Sequence, residues 1–117
     1  MSQTATHRFA RISARKVRLV LDLVRGRDVD DALAVLEFTK NRGGVMVGKA
    51  IKSAVAGFND RPENTAAQGN LYVAEARADE GPTIKRFQPK DRGKAHPIMK
   101  RTSHIVVTVA EREEAVN

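Results

Sequence analysis

Residues 81–105 read GPTIKRFQPKDRGKAHPIMKRTSHI, and the reading of this stretch decides what the rest of the chain must build. It holds too few apolar residues for a core, yet proline, glycine and positive charge recur in it at intervals that a low-complexity tail lacks. On its N-terminal side LYVAEARAD (71–79) alternates as a strand does. On its C-terminal side SHIVVTVAE (103–111) alternates more strongly, with Ile105, Val107 and Val109 facing one way. PKDRG at the centre is turn chemistry: proline sets φ, aspartate bonds locally and glycine accepts φ > 0. The simplest structure is one long hairpin continuing out of a sheet. Its tip falls near Asp91–Gly93, with Ile84 close to Met99 and Phe87 close to His96 to within one residue. At ~3.3 Å per residue, an arm of about ten residues would reach ~30 Å beyond the body.

Such an arm cannot hold its own shape by burial. Ile84, Arg86, Gln88 and Lys90 alternate with Lys85, Phe87 and Pro89, so neither side is apolar. Pro82, Pro89 and Pro97 each remove a ladder donor. An isolated two-stranded hairpin is marginal in water. Two readings stay open on pattern alone: a disordered basic loop, or a hairpin made rigid when its charges meet phosphates on both faces. A membrane surface or a DNA groove engages mainly one side, whereas a folded RNA can enclose the arm.

Upstream, the chain supplies the body. Thr6–Ile12 is short and loosely alternating, a candidate strand. Ser13 is a candidate N-cap for ARKVRLVLDLVRG, where Val17, Val20, Leu21 and Val24 share one helical face and Gly26 supplies the stop. Asp28 can cap a second helix, VDDALAVLEF, with Val29, Leu33 and Leu36 inward. A third helix is expected from about Gly44 to Asn59, on a stripe of Val47, Ile51, Ala54, Val55 and Phe58. Gly43 and Gly44 each cost ~1 kcal/mol in a helix interior, which predicts a late or frayed start. DRPENTAAQGN (60–70) is a polar connection. The organisation is one domain, with a body over about 6–79 and 103–111, an arm over about 80–102, and an acidic, frayed tail over 112–117.

Charge is sorted along the chain. The 117 residues carry a net +7, but two blocks hold the excess. Arg8, Arg11, Arg15, Lys16, Arg18, Arg25 and Arg27 stand against Asp22 alone. Lys85, Arg86, Lys90, Arg92, Lys94, Lys100 and Arg101 stand against Asp91 alone. The remaining seven basic and twelve acidic residues leave the rest of the protein at −5. Positive charge crowding the start of a helix opposes the macrodipole, and an anion bound there removes the penalty. Phosphate is the economical partner for both blocks.

The catalytic classes are excluded by absence of parts. There is no cysteine, and His7, His96 and His104 show no ligand spacing, so neither metal nor other cofactor is expected. No phosphate loop, dinucleotide fingerprint or nucleophile elbow occurs, and no enzyme activity is expected. Four Phe, one Tyr and no Trp cannot build the aromatic platform of a single-strand binder, which leaves shape and phosphate of folded RNA as the target. The acidic second helix argues against a DNA-reading helix-turn-helix and against a free nucleic-acid chaperone. No apolar run approaches the ~18 residues of a membrane span, and the first helix lacks the aromatic face of a membrane-active one.

RISARKVRLVLDLVRG (11–26), KAIKSAVA (49–56) and DEGPTIKRFQPKDRGKAHPIMKRTSHIVVTV (79–109) closely resemble the bacterial-type large-subunit ribosomal protein twenty-two family, over about residues 7–110. The resemblance implies an α+β fold, three helices on a small three-stranded antiparallel sheet with a long protruding β-hairpin. It implies a structural constituent of the large ribosomal subunit that braces rRNA and lines the nascent-peptide exit tunnel. By matching positions, Arg11, Arg15, Lys16, Arg18 and Arg25 would contact rRNA from the body, and Lys85, Arg86, Lys100 and Arg101 from the stem of the arm. Lys90, Asp91, Arg92, Gly93 and Lys94 would form the tip facing the tunnel. The implied partners are large-subunit rRNA, neighbouring large-subunit proteins and the nascent polypeptide, with no membrane and no homo-oligomer. The implied location is the cytoplasmic ribosome, an organellar ribosome being the alternative.

Overall fold

The computed structural model describes residues 2–39, 42–60, 71–90 and 94–111, with 84, 86–90 and 94–99 described by their backbone alone. Six elements follow in order: β1 (Ser2–Ala10), α1 (Ala14–Val24), α2 (Val29–Phe38), α3 (Arg42–Asn59), β2 (Leu71–Lys90) and β3 (Lys94–Glu111). The strands form one antiparallel sheet in the order β1-β3-β2, the α+β fold that the family resemblance implied.

The helices pack through the stripes their sequences carry. Val17, Val20, Leu21 and Val24 of α1 are buried, as are Val47, Ile51, Ala54, Val55 and Phe58 of α3. They meet Ile105, Val107 and Val109 of β3 in a single core. Each large side chain so buried contributes roughly 1.5–3 kcal/mol. α3 lies on β1 and β3, and α1 lies on β2. Ser13 caps α1, its side chain accepting from the Lys16 N–H at 3.3 Å. Gly26 ends it at φ 81°, a backbone that only glycine adopts freely.

Three local expectations are corrected. β1 starts at Ser2 and ends at Ala10, rather than spanning Thr6–Ile12. Its half-buried positions are Gln3, Ala5 and His7, which give an edge strand little of the β-branched pattern that marks one. α3 starts at Arg42, with Gly43 and Gly44 buried inside its first turns, so packing overrides their poor propensity. Asp28 occupies the N-cap position of α2, but its side chain makes no capping hydrogen bond. The backbone at Asp28 instead bridges to Tyr72. The predicted loop over 61–70, the tip over 91–93 and the tail over 112–117 lie outside the described residues.

β2 and β3 run on together from the body into the arm. Ile84 pairs with Lys100, Phe87 with Pro97 and Lys90 with Lys94, one residue from the expected register and within its stated margin. The molecule measures 71 × 27 × 19 Å, with a radius of gyration of 17.7 Å. A compact domain of this length would have about 13 Å. The arm supplies the difference.

Candidate nucleic-acid interface

The arm begins at an irregularity. Glu80 pairs with Ser103 and Thr83 with Arg101, so Gly81 and Pro82 together face Thr102. Such a bulge accommodates Pro82, which has no N–H to give the ladder. Thr102, buried, closes it by donating its hydroxyl to the Pro82 carbonyl at 2.6 Å. Gly81 is required by close approach. A Cβ there would lie 2.6 Å from Thr102 Oγ1 and 3.3 Å from His104 Nε2.

The start of α1 lies against this root. Ser13, Ala14 and Arg15 form one wall of a shallow polar cleft, and Glu80, Thr83, Arg101 and Thr102 form the other. Arg15 and Arg101 belong to different basic blocks, 86 positions apart in the chain, and here they line one surface. Arg11, Lys16, Lys85 and Lys100 are also exposed, on or beside the same two elements. The N-terminal N–H groups of α1 add their own partial positive charge. The cleft offers cations and backbone donors, with Glu80 the acid on its rim. Such a surface is chemically able to take phosphate oxygens.

Arg18 and Arg25 have work inside the protein. Arg18 Nη2 donates to the Ala78 carbonyl at 3.0 Å. Arg25 donates to the Ala76 carbonyl from Nε at 3.1 Å and from Nη2 at 2.6 Å, and pairs with Asp22 through Nη1. Further along, Gly26 N donates to Val73 O and Val73 N to Arg27 O, both at 2.9 Å. The outer side of β2 is therefore tied from Val73 to Ala78 by α1 and the residues after it, which protects a free edge against pairing with another chain. The sequence gives no sign of this use, because the acceptors are main-chain groups 51 and 60 residues away.

The arm itself places its charges with some order. The register sets Lys100 opposite Ile84, Lys85 opposite Met99 and Arg86 opposite Ile98, so like charges do not face each other across the stem. Lys90 opposite Lys94, next to the tip, is the exception. Asp91, Arg92 and Gly93 are among the residues not described.

The helix-free side of the sheet has a different character. Arg77 is held by Glu75 and by Asp79, the latter at 3.4 Å. The hydrogen bond with Glu75 first, then that with Asp79, raise the guanidinium above its usual range. Thr4 and Thr108 join hydroxyls at 2.9 Å. The Arg77 charge is thus offset locally by these two carboxylates. Phe9, which no sequence pattern singles out, is exposed at the other side of the arm root, beside His104. Among the described residues, no group of His, Cys, Asp and Glu could hold a metal ion, and no helix is long and apolar enough to cross a membrane.

The family model described as ribosomal protein L22p/L17e matches residues 5–110. A large ribosomal subunit protein uL22 from Lacticaseibacillus casei (strain BL23) is 53% identical over 112 residues, covering 96% of this chain and 94% of its own. Proteins of the same name from Thermoanaerobacter sp. (strain X514) and Clostridium tetani (strain Massachusetts / E88) are 50% and 48% identical over 113 residues. Both alignments cover 97% of this chain and 100% of the relative. The chain belongs to the ribosomal protein L22p/L17e family, as the resemblance of its arm and first helix implied.

Proposed function

We propose that this chain is a structural constituent of the large ribosomal subunit, which binds and braces large-subunit rRNA and lines the nascent-peptide exit tunnel with its arm. Family membership over residues 5–110, a span that includes both basic blocks, carries the reading. The convergence of Arg15 and Arg101 at the arm root supports it. In this role Arg11, Arg15 and Lys16 neutralise phosphates from the body, and Lys85, Arg86, Lys100 and Arg101 do so along the stem. Arg18 and Arg25 first hold α1 to β2, and so set where those cations stand. Lys90 to Lys94 face the tunnel and the peptide passing through it. No bond is made or broken in such a role, which needs shape and charge only. The partners are rRNA, neighbouring large-subunit proteins and the nascent chain, in the cytoplasmic ribosome.

The test is sedimentation of the tagged protein from a lysate through a sucrose gradient at low and then high salt. Co-migration with the large subunit that survives high salt is expected, since an enclosed arm leaves only by opening the RNA around it. Loss to the light fractions at high salt would mark an exchangeable surface binder. For rRNA in vitro, replacing Lys85, Arg86, Lys100 and Arg101 with glutamine should flatten the slope of log affinity against log salt by about 3, because four fewer phosphates release counterions. An unchanged slope would refute these four as phosphate contacts.

A further inference from the structure

Phe9 combines three features that set it apart in the fold. Its ring is 61% exposed. Its φ is 55°, the only positive value among the described non-glycine residues, in a region where a bulky side chain is strained. It sits in the irregularity of β1 between His7 and Ala10, where the next residue, Ala10, turns into the core. The surroundings hold this conformation firmly. The Phe9 N–H donates to His104 Nδ1 at 3.1 Å, and the two rings meet edge to face with centroids 4.9 Å apart and planes at 83°. The ring itself stays exposed although the backbone beside it is strained, which points to a use for the ring outside the fold.

We propose that Phe9 is a stacking site for one unpaired base of the RNA, with His104 as the side wall that orients the ring. The inference rests on the rRNA-binding reading above and names a ligand for a place that reading does not use. Charge identifies the occupant. Phe9 lies between Arg8 and Arg11, both exposed, at the foot of the basic arm. A base on the ring would bring its flanking phosphates to those guanidinium groups, as aromatic and cationic side chains combine on unpaired nucleotides. An apolar protein knob would gain nothing from the two arginines. Five aromatic residues do not make a single-strand platform, but one displayed ring suffices for one extruded base.

The experiment measures affinity for a large-subunit rRNA transcript by filter binding across a salt series, using the full chain and the variants Phe9→Ala, Phe9→Leu and Phe9→Trp. Circular dichroism checks that each is folded. Phe9→Ala and Phe9→Leu should bind about five- to 150-fold more weakly, and Phe9→Trp as well as the parent or better. The salt slope should stay at the parental value, because no phosphate contact is removed. Photocrosslinking of purified large subunits should leave a nucleotide adduct on a peptide containing Phe9. Parental affinity of Phe9→Leu would mean an apolar contact rather than stacking and would overturn the proposal. If Phe9→Ala does not fold, the Leu and Trp pair, both bulky, decides it. A parent chain that does not bind the transcript would sink the rRNA reading itself, and this inference with it.

Discussion

Along β3, the residues from Ser103 to Val109 are buried or half-buried, whereas Arg101 and Lys100, just beyond Thr102, are exposed. One strand thus runs through two regimes. In the body it is the centre of the sheet, with β1 on one side and β2 on the other and helices over its Ile105–Val109 stripe. In the arm it keeps β2 alone. Backbone pairing is the same in both, so pairing is not what makes the body stable. The core is. An arm of paired backbone and exposed cations has to take the remaining stabilisation from whatever it binds, and its charges say that this is a polyanion.

Two substitutions and one segment replacement sharpen the contrast between core and arm. Phe58→Ala, which empties the largest fully buried position, should cost about 3–5 kcal/mol in chemical unfolding. Gly81→Ala addresses the root, where the two regions join. Its Cβ would press on Thr102 Oγ1, and overpacking of this kind costs about 1–3 kcal/mol, with the damage centred on Pro82 and Thr102 in amide exchange. Parental stability there would mean that the bulge yields easily and does not fix the arm's direction. The smallest effect is expected for the largest change: replacing residues 84–100 with a short turn should alter unfolding of the isolated protein by no more than about 1 kcal/mol. A loss comparable to that of Phe58→Ala would break the division of labour, because the arm would then be holding the body together.

Much of this was legible beforehand, and the legible parts share a cause. The stripe on α1, the cap at Ser13 and the stop at Gly26 are interactions within a turn or two of helix, so the pattern shows them directly. The hairpin was legible because PKDRG and its flanking strands are local too. β1 begins and ends earlier than its pattern suggests, because its inner residues are Gln, Ala and His and only pairing with β3 makes them a strand. The start of α3 was misjudged because propensity penalises Gly43 and Gly44 while burial favours them. Along the chain Arg18 and Arg25 look like the other cations of their block. Nothing near them in the chain reveals that Ala78 and Ala76 carbonyls are their acceptors.

By itself, then, the sequence determined which segments are helical, which two strands are able to pair as a hairpin, and that positive charge is gathered into two blocks of seven. Those properties depend on residues a few positions apart. Only the tertiary structure decided that the blocks meet, that two arginines secure the edge of β2, and that Phe9 is displayed rather than buried. Those outcomes depend on strand order and on the irregularities at Phe9 and at Gly81–Pro82, each of which shifts the register by one residue. A one-residue shift exchanges the two faces of a strand, and no local pattern in the chain records which face another segment will find.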